Sequence, residues 1–219
     1  MAVCAVDHVG TCSNPSEYLS GTTTISTDGD TDSLAIAELG ECTPATAQWY
    51  SDAKLICEPV SVSTKGKLTF DVRGGESMVS CKLTDSETLE NPADDGLGEG
   101  EITSFLLSHC KSTGARVCQK KETLDVTPNT PWATKLLATT PIRDEIPDVE
   151  FTLSCRNGAQ EATVEELSGT LTPQVGNSVL EFASGSGELS DSADSHTATV
   201  SGTDKLKGPK KQTKITAAS

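Results

Sequence analysis

Apolar and polar residues alternate along several short stretches of the chain, as they do in strands with one buried face. In VEFTLSC, residues 149–155, every second residue is apolar and Cys155 ends the apolar face. In MVSCKL, residues 78–83, Cys81 lies on the apolar face in the same way. The pattern therefore predicts two half-buried strands, each with a cysteine that points into a core.

The same alternation predicts a fold built almost entirely from strands. Further strands are predicted in KLTFDV (67–72), GEITSFLLSHC (100–110), SVLEF (178–182), HTATVSG (196–202) and KQTKITA (211–217). Turn residues, such as Gly74-Gly75, Asn157-Gly158 and Gly208-Pro209, separate them. The predicted fold class is all-β, a disulfide-crosslinked antiparallel β-sandwich. The one predicted helix has Thr43 as N-cap, begins with Pro44 at its first position and continues through residues 45–53.

Composition and charge favour strands and exclude some classes of partner. Ser, Thr and Gly are frequent and aromatic residues make up only 4% of the chain, which favours strands and turns over long helices. The formal net charge of −15 repels phosphate backbones and anionic lipids, so we expect no nucleic-acid partner and no membrane insertion. No stretch is apolar enough to predict a membrane-spanning helix, and the first residues lack the features of a signal peptide.

The cysteines indicate disulfides. There are eight, an even number, and none belongs to the CxxC pairs that zinc ribbons and thioredoxin-like sites use. Zinc ligation and buried reduced thiols are the weaker alternatives. Disulfides predict an oxidising compartment. Either an export segment has been removed, or the protein meets oxidising conditions after release, as a virion component would.

Four cysteines in the later part of the chain suggest two disulfides. Because Cys81 and Cys155 both point inward from predicted strands, we expect a bridge between them across the core. It would stabilise the fold by about 4–5 kcal/mol in the chain-entropy model. Cys110 and Cys118 are then expected to pair locally across a hairpin turn at Gly114.

The other four cysteines predict a small N-terminal subdomain with its own disulfides, whose connectivity the sequence leaves open. They are Cys4, Cys12, Cys42 and Cys57. The polar stretch VSVSTKGK, residues 60–67, follows them and suggests a boundary. The predicted domains are therefore the subdomain, residues 1–62, and the β-sandwich, residues 63–219.

Alternating acidic residues make calcium a weak candidate cofactor. Asp28, Asp30 and Asp32 are spaced as the first ligands of an EF-hand loop are. Ser33 stands where that loop needs glycine, and Leu39 stands where it needs a bidentate glutamate. An exposed acidic turn is the favoured interpretation, and no other cofactor is expected.

A second acidic stretch, DDGLGEGE at residues 94–101, is interpreted as a solvated hairpin loop. Paired carboxylates in this stretch are the candidate for hydrolase chemistry, which we expect to be absent. The acidic residues concerned are Asp94, Asp95, Glu99 and Glu101.

The histidines and tryptophans favour structural roles. His8, His109 and His196 are scattered and accompany no nucleophile or metal signature, so no catalytic residue is expected among them. Trp49 and Trp132 are expected in the core, because there are too few aromatic residues for both a core and a sugar-binding surface.

Lysines concentrate near the C-terminus of this acidic chain, in DKLKGPKKQTK at residues 204–214. Such a cluster is typical of polyanion-binding patches. The favoured interpretation is instead an edge strand that its lysines protect from pairing with other chains, or a tail docked on the acidic body.

Several segments, among them SCKLTD (80–85), FTLSC (151–155) and GTDKLKGPKKQTKITA (202–217), resemble segments of secreted, uncharacterised actinobacterial proteins. These proteins contain short strands and a few cystines. The resemblance covers the larger part of the chain but not its N-terminal part. It implies an extracytoplasmic all-β protein and no particular activity.

These observations predict a non-enzymatic structural or surface-interaction protein. It would serve as a coat, decoration or adhesion module on an extracellular or virion surface, through a protein partner or self-assembly as a homo-oligomer. The alternative is a secreted effector, such as a protein-binding inhibitor or a β-rich pore-forming toxin.

Overall fold

The computed structural model describes residues 23–27, 30–34, 46–92, 96–183, 186–192, 196–210 and 213–218. The chain divides into two compact units, Met1–Glu41 and Cys42–Ser219. In the first unit, the described strands β1 (Thr23–Thr27) and β2 (Asp30–Leu34) form an antiparallel hairpin.

The described part of the second unit consists of strands, their connections and one short 3-10 helix, Arg73–Gly75. Within the described ranges, the protein has no helix that is long and apolar enough to cross a membrane. The strands are β3 (Gln48–Ser51), β4 (Lys54–Leu55), β5 (Val60–Val72), β6 (Ser77–Glu90), β7 (Glu99–Gly114), β8 (Thr123–Pro128), β9 (Trp132–Leu137), β10 (Arg143–Asn157), β11 (Gln160–Leu171), β12 (Gln174–Val175), β13 (Val179–Phe182), β14 (Glu188–Asp191), β15 (Thr197–Lys207) and β16 (Ile215–Ala218). The predicted boundary between residues 62 and 63 thus falls inside β5, where buried and exposed side chains alternate, and not in a linker.

Eleven of these strands form one antiparallel sheet whose hydrogen-bonded order closes on itself. From β5, pairing passes through β6, β7, β9, β10, β12 and β13 to β15, and β15 pairs again with β5. β8 pairs with β10, while β11 and β14 connect β10 to β15. The predicted all-β antiparallel fold is confirmed. The prediction assumed two sheets that face each other across the core. In the structure, the strands on both sides of the core belong to one continuous sheet.

The core lies inside the closed sheet, because alternate residues of the long strands point inward as the sequence pattern predicts. At its centre the rings of Phe70, Phe105, Trp132 and Phe151 pack with centroids 5.0–6.0 Å apart. Trp132 is 3% exposed and Trp49 is fully buried. The predicted core role of both tryptophans is therefore confirmed.

The predicted helix over residues 45–53 is wrong. Within this range β3 pairs with β16 on one side and with β4 on the other. Ala47, Asp52 and Ala53 have φ angles of 56°, 50° and 63°, which an α-helix does not contain. Burial of Trp49 in the core outweighs the weak helical preference of the surrounding residues.

Asn91 connects this three-stranded sheet to the end of β6. Its buried Oδ1 accepts a hydrogen bond from Trp49 N at 2.8 Å, and its Nδ2 donates to Trp49 O and Ile56 O, both at 2.9 Å. Because Asn91→Ala leaves Trp49 N without an acceptor and removes one of the two donors to Trp49 O and to Ile56 O, we expect the free energy of unfolding in urea to fall by about 3 kcal/mol. Asn157→Ala, in an exposed turn, is the control and should change it by less than about 0.5 kcal/mol. Equal effects of the two substitutions would contradict this role of Asn91.

Two glycines allow β5 and β15 to approach where the sheet closes. A Cβ at Gly202, where φ is +145°, would lie 2.0 Å from Lys67 O, and a Cβ at Gly66 would lie 2.0 Å from Thr203 O. We expect Gly202→Ala to lower the free energy of unfolding by at least about 3 kcal/mol, because it adds a backbone clash to an unfavourable φ. Gly158→Ala is the matched control: φ is +62° but nothing lies within 4 Å of the added Cβ, so the expected loss is about 1 kcal/mol. Similar losses in the two variants would show that close strand approach contributes little.

Candidate functional site

The described core contains a layer of buried carboxyl groups, named here the acid layer: Asp85 and Glu87 from β6, Asp144 from β10 and Asp204 from β15. Their exposed fractions are 6%, 2%, 0% and 1%. Among the residues that the structure describes, no lysine, arginine or histidine forms an ion pair with any of them. Ionising four acids in a core without a neighbouring cation is costly. Their hydrogen bonds therefore depend on which of the carboxyl groups are protonated.

Asp85 and Asp204 form a pair that is hydrogen-bonded only if it holds a proton. Two ionised carboxylates are acceptors alone and cannot bond to each other. The Thr64 hydroxyl and the Lys205 backbone N–H approach Asp204 and lower its pKa, but neither makes a well-formed hydrogen bond with its oxygens. Burial, then the charge of Asp204 and a hydrogen bond with it, raises the pKa of Asp85 to about 9. Burial also raises the pKa of Asp204. The pair therefore shares a proton at neutral pH.

The other two acids flank the hydroxyl group of Thr134. Thr134 Oγ1 donates to Glu87 Oε1 at 3.4 Å, and a single hydroxyl hydrogen cannot also serve Asp144. Burial raises the pKa of Asp144 to about 7; the nearby Thr134 hydroxyl opposes this rise, and the charge of Glu145 adds a smaller increase. Burial, followed by repulsion from the other three acids, raises the pKa of Glu87 well above its usual value. Much of the acid layer is thus protonated at neutral pH.

The geometry of the acid layer does not suit a metal ion. Within the described ranges, three potential ligand atoms that all lie within 4.8 Å of one another occur only at Cys118, Glu122 and Cys155. Cys118 and Cys155 are joined in a disulfide, so their sulfurs are not thiolate ligands. Because its carboxyl groups are sealed from solvent, the acid layer is suited to holding protons and not to contacting a substrate.

An open groove of about 440 Å³ lies on the outer surface, beside part of the predicted acidic loop. Its lining includes Glu90, Glu99, Glu101 and Glu145, together with Lys135. Glu99 and Glu101 are on β7 and not in a loop, whereas residues 93–95, and with them Asp94 and Asp95, lie outside the described residues. Lys135 Nζ lies 3.4 Å from Glu99 Oε1. The groove is therefore a negatively charged surface with one paired cation.

The predicted cystine pairing is wrong, although the same four cysteines are paired. The structure joins Cys81 to Cys110 and Cys118 to Cys155. Cys81 lies opposite a bulge in β7, where the register shifts between Ser80 and Lys82, and this brings Cys110 beside it with Cα atoms 4.1 Å apart. Inward orientation alone could not show that β7, and not β10, is the neighbour of β6.

The second cystine also differs from the predicted hairpin crosslink. Gly114 is the last residue of β7 and is still paired with Ser77 of β6, so it does not form a hairpin turn between Cys110 and Cys118. Cys118 follows in the β7–β8 connection and reaches Cys155 on β10, the strand that pairs with β8. This cystine therefore attaches a loop to the sheet.

The remaining predicted disulfide and calcium residues are only partly described. Cys57 is disulfide-bonded, and its partner lies outside the described residues, as do Cys4, Cys12 and Cys42. None of the described cysteines is free. Asp28 and the side chains of Asp30 and Asp32 also lie outside the described residues, so calcium binding there stays a prediction.

The structure places the two described histidines on the surface. His109 is exposed in the β7 bulge with a φ of 54°, and its Nδ1 lies 3.2 Å from Ser108 Oγ. His196 is exposed just before β15. His8 lies outside the described residues. Neither described histidine is close enough to the acid layer to form an ion pair with it.

The acid layer was not predicted, although the sequence contains a signal for it. Asp85 and Glu87 continue the inward positions that begin with Val79 and Leu83, and Asp204 lies two residues before the buried Leu206. Acidic residues at such positions are usually taken as the end of a strand. An unbroken period of two across them is the signal that indicates buried acids.

Comparisons with known proteins do not assign a function to this chain, so a function has to be argued from its surfaces and its core. The resemblance to secreted actinobacterial proteins stays an expectation. No protein-family model matches the chain, and comparisons with curated proteins and with solved structures find no significant match.

Proposed function

We propose that this protein is a non-enzymatic structural or surface-interaction module that acts outside the cytoplasm, on an extracellular or virion surface. The observation that carries the proposal is the closed sheet with its two described cystines. Such a sheet keeps the carboxyl groups of the acid layer inside and presents only its outer surface to other molecules. Disulfides persist in oxidising environments, which supports a location outside the cytoplasm.

The acidic groove is the surface that we assign to a protein partner or to another copy of the chain. Its glutamates outnumber its single lysine, so it favours a partner that presents basic side chains. Charge of this kind contributes more to the rate and specificity of association than to affinity.

Fractionation followed by crosslinking in the native source tests this function. We expect the protein outside the cytoplasm, with Cys81–Cys110 and Cys118–Cys155 formed, and crosslinked through the groove to a surface partner or to itself. The double variant Glu99→Gln/Glu101→Gln should lose most of these crosslinks. Glu181→Gln/Glu188→Gln, on exposed positions of β13 and β14, is the control with the same change in charge.

A cytoplasmic protein with free thiols would overturn the proposal. Leakage of dye from liposomes on addition of the purified protein would favour the toxin alternative, and we expect no leakage.

A further inference from the structure

Five exposed lysines lie on the outer face of three adjacent strands of this acidic protein. They are Lys65 and Lys67 on β5, Lys82 on β6, and Lys205 and Lys207 on β15. We name this surface the lysine face. It includes two lysines of the C-terminal cluster and three that are distant from that cluster in sequence.

The two structural explanations offered for the C-terminal lysines do not apply to this surface. β15 is not an edge strand, because it pairs with β5 on one side and with β13 and β14 on the other. The lysines of the lysine face are not docked on acidic residues either, since none of the five forms an ion pair within the described parts of the chain. Their presence therefore needs another explanation.

The register places like charges directly opposite each other. Lys65 is paired with Lys205, and Lys67 with Lys82. Such pairs destabilise a sheet. Outward serines and threonines, such as Ser63 and Thr203, lie beside these lysines on the same strands. The lysines of each pair therefore repel each other, and an anionic ligand bound there would remove this repulsion.

Acidic residues border the lysine face. Glu181 lies opposite Thr203, and Glu188 and Asp71 both lie opposite Thr199. The basic surface is therefore a narrow one. Neighbouring lysines are separated by about 5 Å across the strands and about 7 Å along them. One linear polymer with regularly spaced anionic groups can contact several of them at once.

We propose that the lysine face binds a linear acidic polysaccharide. Charge complementarity supports an anionic ligand, and the Ser and Thr hydroxyls suit the hydroxyl groups of sugars. The face offers no aromatic ring for stacking nucleic-acid bases. The two large apolar side chains that are exposed among the described residues lie beside it and not among the lysines: Met78 is opposite Asp71, and Leu106 is on β7. The acidic border and the net charge of −15 repel a flat anionic membrane. This inference rests on the proposed function only in requiring a ligand outside the cytoplasm.

Binding of the oxidised full-length protein to labelled dextran sulfate, with uncharged dextran of the same length as the control polymer, tests the proposal. We expect dextran sulfate to bind and dextran not to bind. Lys65→Gln/Lys205→Gln should weaken binding at least about tenfold at low salt and make its dependence on salt less steep, because two charge contacts are lost. The control Lys54→Gln/Lys120→Gln removes the same charge from exposed positions elsewhere and should bind as the wild type does.

Thermal unfolding separates lost binding from lost folding. Lys65→Gln/Lys205→Gln removes a pair of like charges, so its melting temperature should be equal to that of the wild type or higher. No binding to dextran sulfate, or equal weakening in the control variant, would overturn the proposal. Tighter lysine-dependent binding to duplex DNA or to phosphatidylglycerol vesicles would also overturn it, by assigning another ligand. The proposed function fails separately, through a cytoplasmic location or free thiols.

Discussion

The free energy of unfolding is expected to fall steadily as the pH rises from about 5 to about 9, and Asp85→Asn should remove part of that fall. The acid layer is the cause. Burial raises the pKa of Asp85 from 3.8 to about 9 and that of Asp144 from 3.8 to about 7. The folded protein therefore retains protons that the unfolded chain releases.

The direction of the effect follows from proton linkage. A group whose pKa is raised by folding contributes its full stability below the pKa of the unfolded chain. That contribution is lost as the pH rises through the folded-state value, about 7 for Asp144 and about 9 for Asp85. Each proton that only the folded state holds lowers the free energy of unfolding by about 1.4 kcal/mol per pH unit.

Asp85→Asn isolates one of these protons. Its amide donates to Asp204 at every pH, as the protonated carboxyl does in the wild type. The variant should therefore lose about 1.4 kcal/mol per pH unit less than the wild type between about pH 5 and pH 8, and should be the more stable protein at the alkaline end. Urea unfolding at several pH values measures both slopes.

Glu181→Gln, which changes an exposed acid on β13, is the matched control and should keep the slope of the wild type. A stability that rises with pH over this interval, or an unchanged slope in Asp85→Asn, would show that the acid layer does not hold the extra protons.

Removing the Cys118–Cys155 disulfide should lower the free energy of unfolding by about 4 kcal/mol in the chain-entropy model. The two cysteines are separated by 37 residues. Without this crosslink the unfolded chain gains conformational freedom, and the β7–β8 connection loses its attachment to β10. Cys118→Ala/Cys155→Ala, followed by urea unfolding without reductant, measures the loss.

Cys81→Ala/Cys110→Ala provides a comparison, because its separation of 29 residues predicts a slightly smaller loss of roughly 3.5 kcal/mol. Peptide mapping without reductant should recover Cys81 linked to Cys110 and Cys118 linked to Cys155. Peptides that join Cys81 to Cys155 would show that the register across the β7 bulge is wrong.

Most strands were predictable because a half-buried strand produces its period of two locally. The β10–β11 turn at Asn157-Gly158 was predictable for a similar reason, since Gly158 has a φ of +62°, which glycine adopts easily. β3 was not predictable in this way. Its residues resemble a short helix, and only the pairing of β3 with the distant β16 and the burial of Trp49 explain why they form a strand.

Alternation along the chain was enough to predict an all-β fold, the inward face of most of the long strands, and the inward position of Cys81 and Cys155. Which strands are neighbours, and therefore the cystine pairs, the acid layer and the lysine face, depended on how the strands pair in the folded protein. The physical reason is that side-chain alternation is a property of one strand, whereas Lys65 meets Lys205 and Asp85 meets Asp204 only through pairings between residues that are far apart in the chain.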